Sequence, residues 1–438
     1  MNEKILIIGA GATGLMAAHI LTKAGKQVVV LEARERLGGR IHTINTQASL
    51  MPAELGAEFI HGDLPVTLGL LKEAGISLLS ADAEMWLYEN GRFSNEGFFT
   101  EDWGLLMEKL GKLKIDTDIY SFLEKEFPGN KYRSLREAVW KFVSGYDTAD
   151  PRQASAFSLR TEWENEDSGD QHRIEGGYGA LINYLEQEIK KAGGIVYLNS
   201  IVKEIHWQPG KVKVITSEGI TYEAEKLLIA LPLGVLQADK NEKAAVVFSP
   251  PITEQNDAIK SMGFGSVIKI LLEFDDLFWT DEIAEKRAGG SLKNMGFLLS
   301  DEEIPTWWSQ APQNSPVLTG WIGGPAASDK KDSSDDEILE QSLQSLANIF
   351  NREVEDLKNK LVSFYIVNWT TEPFTLGSYA YDTVEAPTSR KVLNYPVDNT
   401  LFFAGEYLYE GPAMGTVEAA LISGKEAAEK IIKVEKIV

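Results

Sequence analysis

The 438-residue chain has no cysteine, which excludes disulfides, cysteine nucleophiles and thiolate metal sites. Its five histidines are scattered, with no metal-ligand spacing. No apolar run approaches the ~20 residues of a membrane span. Internal repeats, low-complexity tracts and a dividing proline-rich linker are also missing. Basic residues are in deficit: 43 Lys and Arg face 65 Asp and Glu, for a net charge of −22. Such a field repels nucleic acid and anionic membranes and draws in cations, although solubility alone would also account for it. The first strand-like segment begins at Lys4, so no leader peptide is expected and a cytoplasmic location is the default.

The glycines are ordered. Ile5, Leu6, Ile7 and Ile8 form a continuous apolar run, as expected of a strand buried on both faces of a parallel sheet. Gly9, Gly11 and Gly14 follow in G-x-G-x-x-G spacing. Gly9 allows the tight turn, Gly11 the approach of backbone to a pyrophosphate, and Gly14 close packing of the helix over Leu15–Leu21. The phosphates would sit at that helix's positive end. A second strand, Val28–Leu31, ends at Glu32, placed to accept ribose hydroxyls, with Ala33 and Arg34 expected beside the same cofactor. Gly38, Gly39 and Arg40 then resemble the GG-R element of two-dinucleotide-binding-domain flavoproteins, which points to FAD rather than NAD.

Further along, helical amphipathic text covers about 81–172, including 103–127 and 135–143. Helix 180–192 is followed by strands at 195–198, 202–207, 212–216 and 226–230. Residues 240–395 are β-rich, at 266–274, 296–300, 317–322 and 363–369, with a charged helix at Asp335–Phe350. A strand at 401–404, a glycine turn and a long helix at 415–432 close the chain. Strand–glycine–acid–helix units at both ends suggest one nucleotide domain built from both termini. The expected class is α/β: a Rossmann-type two-dinucleotide-binding FAD domain (1–80, 173–236 and 396–438) with an interleaved α+β substrate domain. The latter has a helical part at 81–172 and a β-rich part at 237–395.

Blocks 4–43, 54–62, 173–236, 263–274, 368–381 and 401–431 resemble the flavin-containing amine oxidase family. That family includes monoamine oxidases, polyamine oxidases and flavin-dependent histone demethylases. The resemblance implies noncovalent FAD, because Ser378 stands where monoamine oxidases carry their flavin-tethering cysteine. It implies hydride transfer from the α-carbon of an amine, hydrolysis of the resulting imine, and reoxidation by dioxygen to hydrogen peroxide. Partners would be a small amine and dioxygen, with no nucleic acid or membrane, on a monomer or homodimer. The acidic field and the His61 block tilt the expected substrate toward polyamines or other cationic amines.

Individual residues follow from the same resemblance. Periodicity alone makes Lys269, within GFGSVIKILLEF, an edge or snorkelling lysine. The resemblance instead makes it the lysine that reaches the reactive flavin nitrogen through a water, and burial would lower its pKa toward neutrality. Tyr379 falls at one wall of an aromatic amine cage, with Trp369 and Phe374 as expected neighbours. Trp369 is also expected at the cofactor. The second cage tyrosine is replaced near Pro412–Ala413, where Tyr407 or Tyr409 could compensate. His61, in ELGAEFIHG, is either a tunnel histidine near the flavin or a surface-loop histidine. Gly56, Ala57 and Glu58 would run along the flavin, with Glu58 read as a cation-binding carboxylate or, by preference, a solvated acid. Val202 would bracket the adenine with its backbone, and Gly176, Gly177 and the Pro232 loop would pack around the cofactor domain. Gly405, Glu406, Gly415, Thr416 and Val417 would contact the ribityl, pyrophosphate or ring. Trp307–Trp308 reads as a packing pair or channel wall.

Other chemistries share this fold expectation. An L-amino-acid oxidase needs an arginine to clamp carboxylate, and the sequence assigns none. A protoporphyrinogen oxidase or carotenoid-type desaturase would not require Lys269. A nonenzymatic flavin-bound interaction module is the remaining alternative.

Overall fold

Strand Lys4–Ile8 is the centre of a five-stranded parallel sheet, ordered Ile195–Tyr197, Gln27–Leu31, Lys4–Ile8, Lys226–Ile229, Leu401–Phe403. The computed structural model describes residues 3–46, 52–95, 101–165 and 170–435. Residues 1–2, 47–51, 96–100, 166–169 and 436–438, which fall within the expected domain spans, lie outside the described residues. The continuous apolar run is explained by the pleat. Ile5 and Ile7 enter one core with Val28, Val30, Leu228 and Phe402. Leu6 and Ile8 enter another with Val29, Leu31, Leu227 and Ile229. Helices Ala12–Lys23, Tyr178–Lys191 and Val417–Glu435 cover the first face. The second face packs against a four-stranded sheet built on Val202–Gln208 and Lys211–Thr216. Strands from the start, middle and end of the chain thus share one sheet.

A seven-stranded sheet forms the other body, ordered Leu361–Asn368, Val267–Phe274, Val317–Gly323, Thr306–Ser309, Met295–Ser300, Glu84–Glu89, Arg92–Ser94. Helix Asp335–Phe350 buries its apolar side on it and opens with a Ser334–Glu337 capping box. Strand Val267–Phe274 lies between two partners and is buried throughout, so Lys269 is neither an edge nor a snorkelling lysine. Ile268, Ile270 and Leu272 face the main core. Lys269 and Leu271 face the opposite side, where Leu271 packs on Ala53 and Leu55.

Two segments differ from the sequence expectation. The helical text at 103–127 is two helices, Trp103–Lys112 and Ile119–Glu126. Asp118 starts the second by accepting the Ser121 N–H at 2.7 Å. Residues 84–94 form a hairpin rather than helix, and its first strand pairs in parallel with Met295–Ser300. Its side chains alternate: Trp86 and Tyr88 enter the core, while Met85, Leu87 and Glu89 line a cavity. Among the described residues, no helix is long and apolar enough to cross a membrane.

Candidate active site

A cavity of about 1170 Å³ runs from the first βα turn to the seven-stranded sheet. Ordinary small-molecule pockets hold roughly 300–1,000 Å³, so this one has room for more than a single small ligand. Gly9 has φ +98°, and a Cβ there would lie 2.4 Å from the Ala230 carbonyl oxygen. A Cβ on Gly14 would lie 1.9 Å from the Gly9 oxygen, so Gly14 serves packing and stays off the cavity wall. Gly11 is on the wall, and a Cβ there would meet nothing closer than 3.8 Å. The helix behind it has no side-chain cap and no acid in its first turn. Its N–H groups and dipole are therefore available to an anion.

Glu32 is buried beside this turn. One carboxylate oxygen accepts the Ala10 N–H at 2.7 Å and the other the Arg34 N–H at 3.0 Å. The Arg34 guanidinium donates to Glu372 and to Thr375 Oγ1. Ala33, Gly38, Gly39 and Val202 continue this wall. Phe374, expected beside Tyr379, instead stacks on Arg34 with 5.6 Å from guanidinium carbon to ring centroid. Gly177 turns back with φ +76° to start helix Tyr178–Lys191, and Pro232 reaches the cavity. Open backbone at Gly11, an uncapped helix and an anchored acid fit the phosphate and ribose of a dinucleotide.

Midway, Arg40 Nη1 donates to the Ser378 carbonyl at 2.6 Å and to Glu406 Oε1 at 2.9 Å. Gly405, Gly415, Thr416 and Val417 line the same stretch. Thr416 Oγ1 accepts the Ala419 N–H at 3.2 Å and so caps the long C-terminal helix toward the cavity. Ser378 Oγ lies 2.5 Å from Thr148 Oγ1.

At the far end, Lys269 Nζ donates to the Gly56 carbonyl and to Glu58 Oε2, both at 2.9 Å. Gly56 and Ala57 line the cavity beside it, and Trp369 donates its indole N–H to the Leu55 carbonyl at 2.9 Å. Glu58 is not a solvated acid, being only 7% exposed. Burial opposes its charge. The Lys269 ammonium and Arg173 guanidinium, with hydrogen bonds from Lys269 and Trp308, outweigh that and hold its carboxyl down at about 2. The expectation for Lys269 considered burial alone, whereas the structure places the Glu58 carboxylate 2.9 Å from its nitrogen.

Tyr379 packs its ring on Gly415 and donates its hydroxyl to the Tyr146 carbonyl. Burial, then the nearby Asp147, pushes its phenol well above the ordinary value. The His61 ring lies 5.7 Å from Phe59 and 6.3 Å from Tyr146, and burial lowers its pKa. Tyr407 is buried away from the cavity, whereas Tyr409 lines it with Pro412 and Ala413. Of these two tyrosines, Tyr409 is the one that reaches the cavity.

Contributors that the sequence did not single out include Arg173 and Gln310, which both donate to Glu58, and Trp321, Tyr146, Phe59 and Phe297 on the cavity wall. The Trp307–Trp308 pair, expected as packing or as a channel wall, divides between the two. Trp307 enters the core, and Trp308 faces the cavity and donates to Glu58 at 3.0 Å. Period-2 alternation along Thr306–Ser309 is the signal that separates them.

The sequence profile of flavin-containing amine oxidoreductases matches residues 12–432. The chain is 28% identical to lysine-specific histone demethylase 2 of Homo sapiens, over 98% of this chain and 53% of that protein. It is 27% identical to lysine-specific histone demethylase 1 homolog 3 of Arabidopsis thaliana, over 99% of this chain and 30% of that protein. It thus spans about half or less of the demethylases it matches. Polyamine oxidase 4 of Oryza sativa subsp. japonica is 26% identical, with 98% of this chain and 88% of that protein covered. Putrescine oxidase solved with putrescine bound shares the fold, with a TM-score of 0.79 at 20% identity over 99% of both chains. By its matched profile, the chain belongs to the flavin-containing amine oxidoreductase family.

Proposed function

We propose that the protein is an FAD-dependent oxidase of amines, acting on polyamines or other cationic amines. The observation that carries this reading is the single cavity shared by the dinucleotide turn, Lys269, Tyr379 and His61. We assign 1–80, 173–236 and 396–438 to the FAD domain and the remainder to the substrate domain. The cytoplasmic location and monomer-or-dimer state expected from the sequence belong to the same reading.

Bound FAD supplies the hydride acceptor and, with dioxygen, the route by which the electrons reach hydrogen peroxide. Gly11, Glu32, Arg40 and Glu406 would hold it noncovalently. Phe59, Phe297 and Trp308 make an apolar wall near Lys269. Such a wall disfavours an ammonium and leaves the reacting nitrogen its lone pair. Tyr379 would position that nitrogen, with Lys269 as the proton-bearing group beside the flavin.

Asp63, Asp147 and Glu162 line the substrate end, where Glu89 is paired with Lys141, and the excess of acids favours a substrate with further positive charge. The arginines on the wall are Arg34 and Arg40, both at the cofactor. Buried Arg173 is committed to Glu58 and to the Ser309 and Ala311 carbonyls. A carboxylate clamp for an L-amino acid is therefore missing from the described residues. A peroxide-release screen of the purified flavoprotein with polyamines, monoamines and L-amino acids tests the reading. Release with amines supports it, and turnover confined to L-amino acids contradicts it.

A further inference from the structure

We propose that Glu58 is the positioning residue of Lys269: its four-donor carboxylate is the counter-ion that aims the lysine nitrogen at the flavin end of the cavity. The inference rests on the amine-oxidase reading.

A lysine side chain is a flexible four-carbon stem with a point charge, so packing alone does not fix where its nitrogen points. Here polar contacts fix it. Two of the three N–H donors of the ammonium are committed, one to the Gly56 carbonyl and one to Glu58 Oε2. The third is left for the cavity that Lys269 lines.

Glu58 can impose this aim because it is immobilised in turn. Its Oε2 also accepts the Trp308 indole N–H at 3.0 Å. Its Oε1 accepts Arg173 Nε at 3.0 Å and Gln310 Nε2 at 3.2 Å. Arg173 is held by the Ser309 and Ala311 carbonyls at 2.9 and 3.2 Å. Each carboxylate oxygen therefore has two fixed donors; of the four, three lie on strands that do not carry Glu58 and the fourth, Gln310, just after strand Thr306–Ser309. Glu54 also lies within electrostatic reach of both Glu58 and Lys269, and burial pushes it up to about 7. Near neutrality Glu54 is only part-charged, so Glu58 is the principal anion facing Lys269 and Arg173.

The test compares Glu58→Gln, Glu58→Asp, Lys269→Met and the double variant Lys269→Met with Glu58→Gln. The holoenzyme is reduced photochemically and mixed with dioxygen across a pH series, so no amine is needed. Glu58→Gln is expected to slow reoxidation at least tenfold and to move its pH profile by more than one unit. Glu58→Asp, which keeps the charge, should retain the wild-type profile. In the Lys269→Met background, Glu58→Gln should change the rate less than twofold. Equal slowing in both backgrounds, or a wild-type rate in Glu58→Gln, overturns the proposal.

A second readout uses FAD-free protein. Glu58→Gln strands both Lys269 and Arg173, whereas Lys269→Met leaves Glu58 paired with Arg173, so the double variant should lose less in thermal midpoint than the sum of the singles. Additive losses contradict the ion-pair role. Should Glu58→Gln fail to fold, the variant that adds Arg173→Met to the double, and so removes all three charges of the cluster, must fold, and its failure also overturns the proposal. A wild type inert toward every amine would instead strike the amine-oxidase reading and leave this coupling measurable.

Discussion

Arg40 and Glu406 meet at 2.9 Å across 366 residues of chain, joining the first flavin-type motif to the last. Glu406 is almost fully buried and Arg40 about a quarter exposed, so the pair is a wall of the cavity and not a surface decoration. Arg40 also holds the Ser378 carbonyl, which places the Tyr379 segment against the same wall.

Glu406→Gln should therefore loosen the cofactor. The variant is expected to retain FAD at least tenfold less tightly, a change of ~1.4 kcal/mol. Titration of FAD-free protein with FAD, followed by flavin fluorescence, measures this. Unchanged affinity would remove the pair from the cofactor site.

Two glycines of one motif should fail differently. Gly14→Ala drives a Cβ to 1.9 Å from the Gly9 oxygen, a backbone clash that costs about 1–3 kcal/mol or more of stability. Gly11→Ala meets nothing within 3.8 Å in the protein, so the fold should keep its stability while FAD binding falls sharply. Urea unfolding of FAD-free protein, paired with FAD titration, separates them. Equal loss of stability in both would contradict the assignment of Gly11 to phosphate approach.

Two buried carboxyls give opposite pH dependences. Burial raises Glu54 to about 7, against the Tyr178 N–H and the Thr43 hydroxyl. Between its ordinary 4.5 and about 7, the folded protein holds a proton that the unfolded chain has released, so this contribution falls as pH rises. Glu58 is held down at about 2, so its contribution is complete above 4.5 and is lost as pH falls toward 2. Glu54→Gln should flatten the stability of FAD-free protein between pH 5 and 8 by on the order of 3 kcal/mol. Parallel wild-type and variant curves from urea unfolding at four pH values would contradict this.

The parts of this architecture that local pattern governs were legible from the residues. Ile5–Ile8 announces a strand covered on both faces, and the charged segment Asp335–Phe350 forms the expected helix. What escaped depends on partners far along the chain. Glu84–Glu89 is held as a strand by Met295–Ser300 on one side, although the Asn90–Gly91 turn to Arg92–Ser94 on the other was a local sign that the helical text obscured. Glu58 is buried and ionised because Arg173 and Lys269, 115 and 211 residues away, bring two positive charges to it. An acid in a glycine-containing segment gives no local sign of either partner.

Tyr379 is tied to its scaffold through the Tyr146 carbonyl. Tyr379→Phe should leave FAD content unchanged and raise KM several-fold with a smaller change in kcat, since the ring remains and only its tether is lost. Tyr379→Ala should raise KM further. A fall in kcat alone would argue for a chemical role of the hydroxyl rather than positioning.

Anaerobic mixing of the FAD-bound protein with a diamine or polyamine tests the central claim most directly, because it isolates electron transfer from amine to flavin. The expected result is rapid bleaching of the visible flavin band, slowed strongly in Lys269→Met. A band that persists with every amine, or bleaches only with L-amino acids, would contradict an amine oxidase.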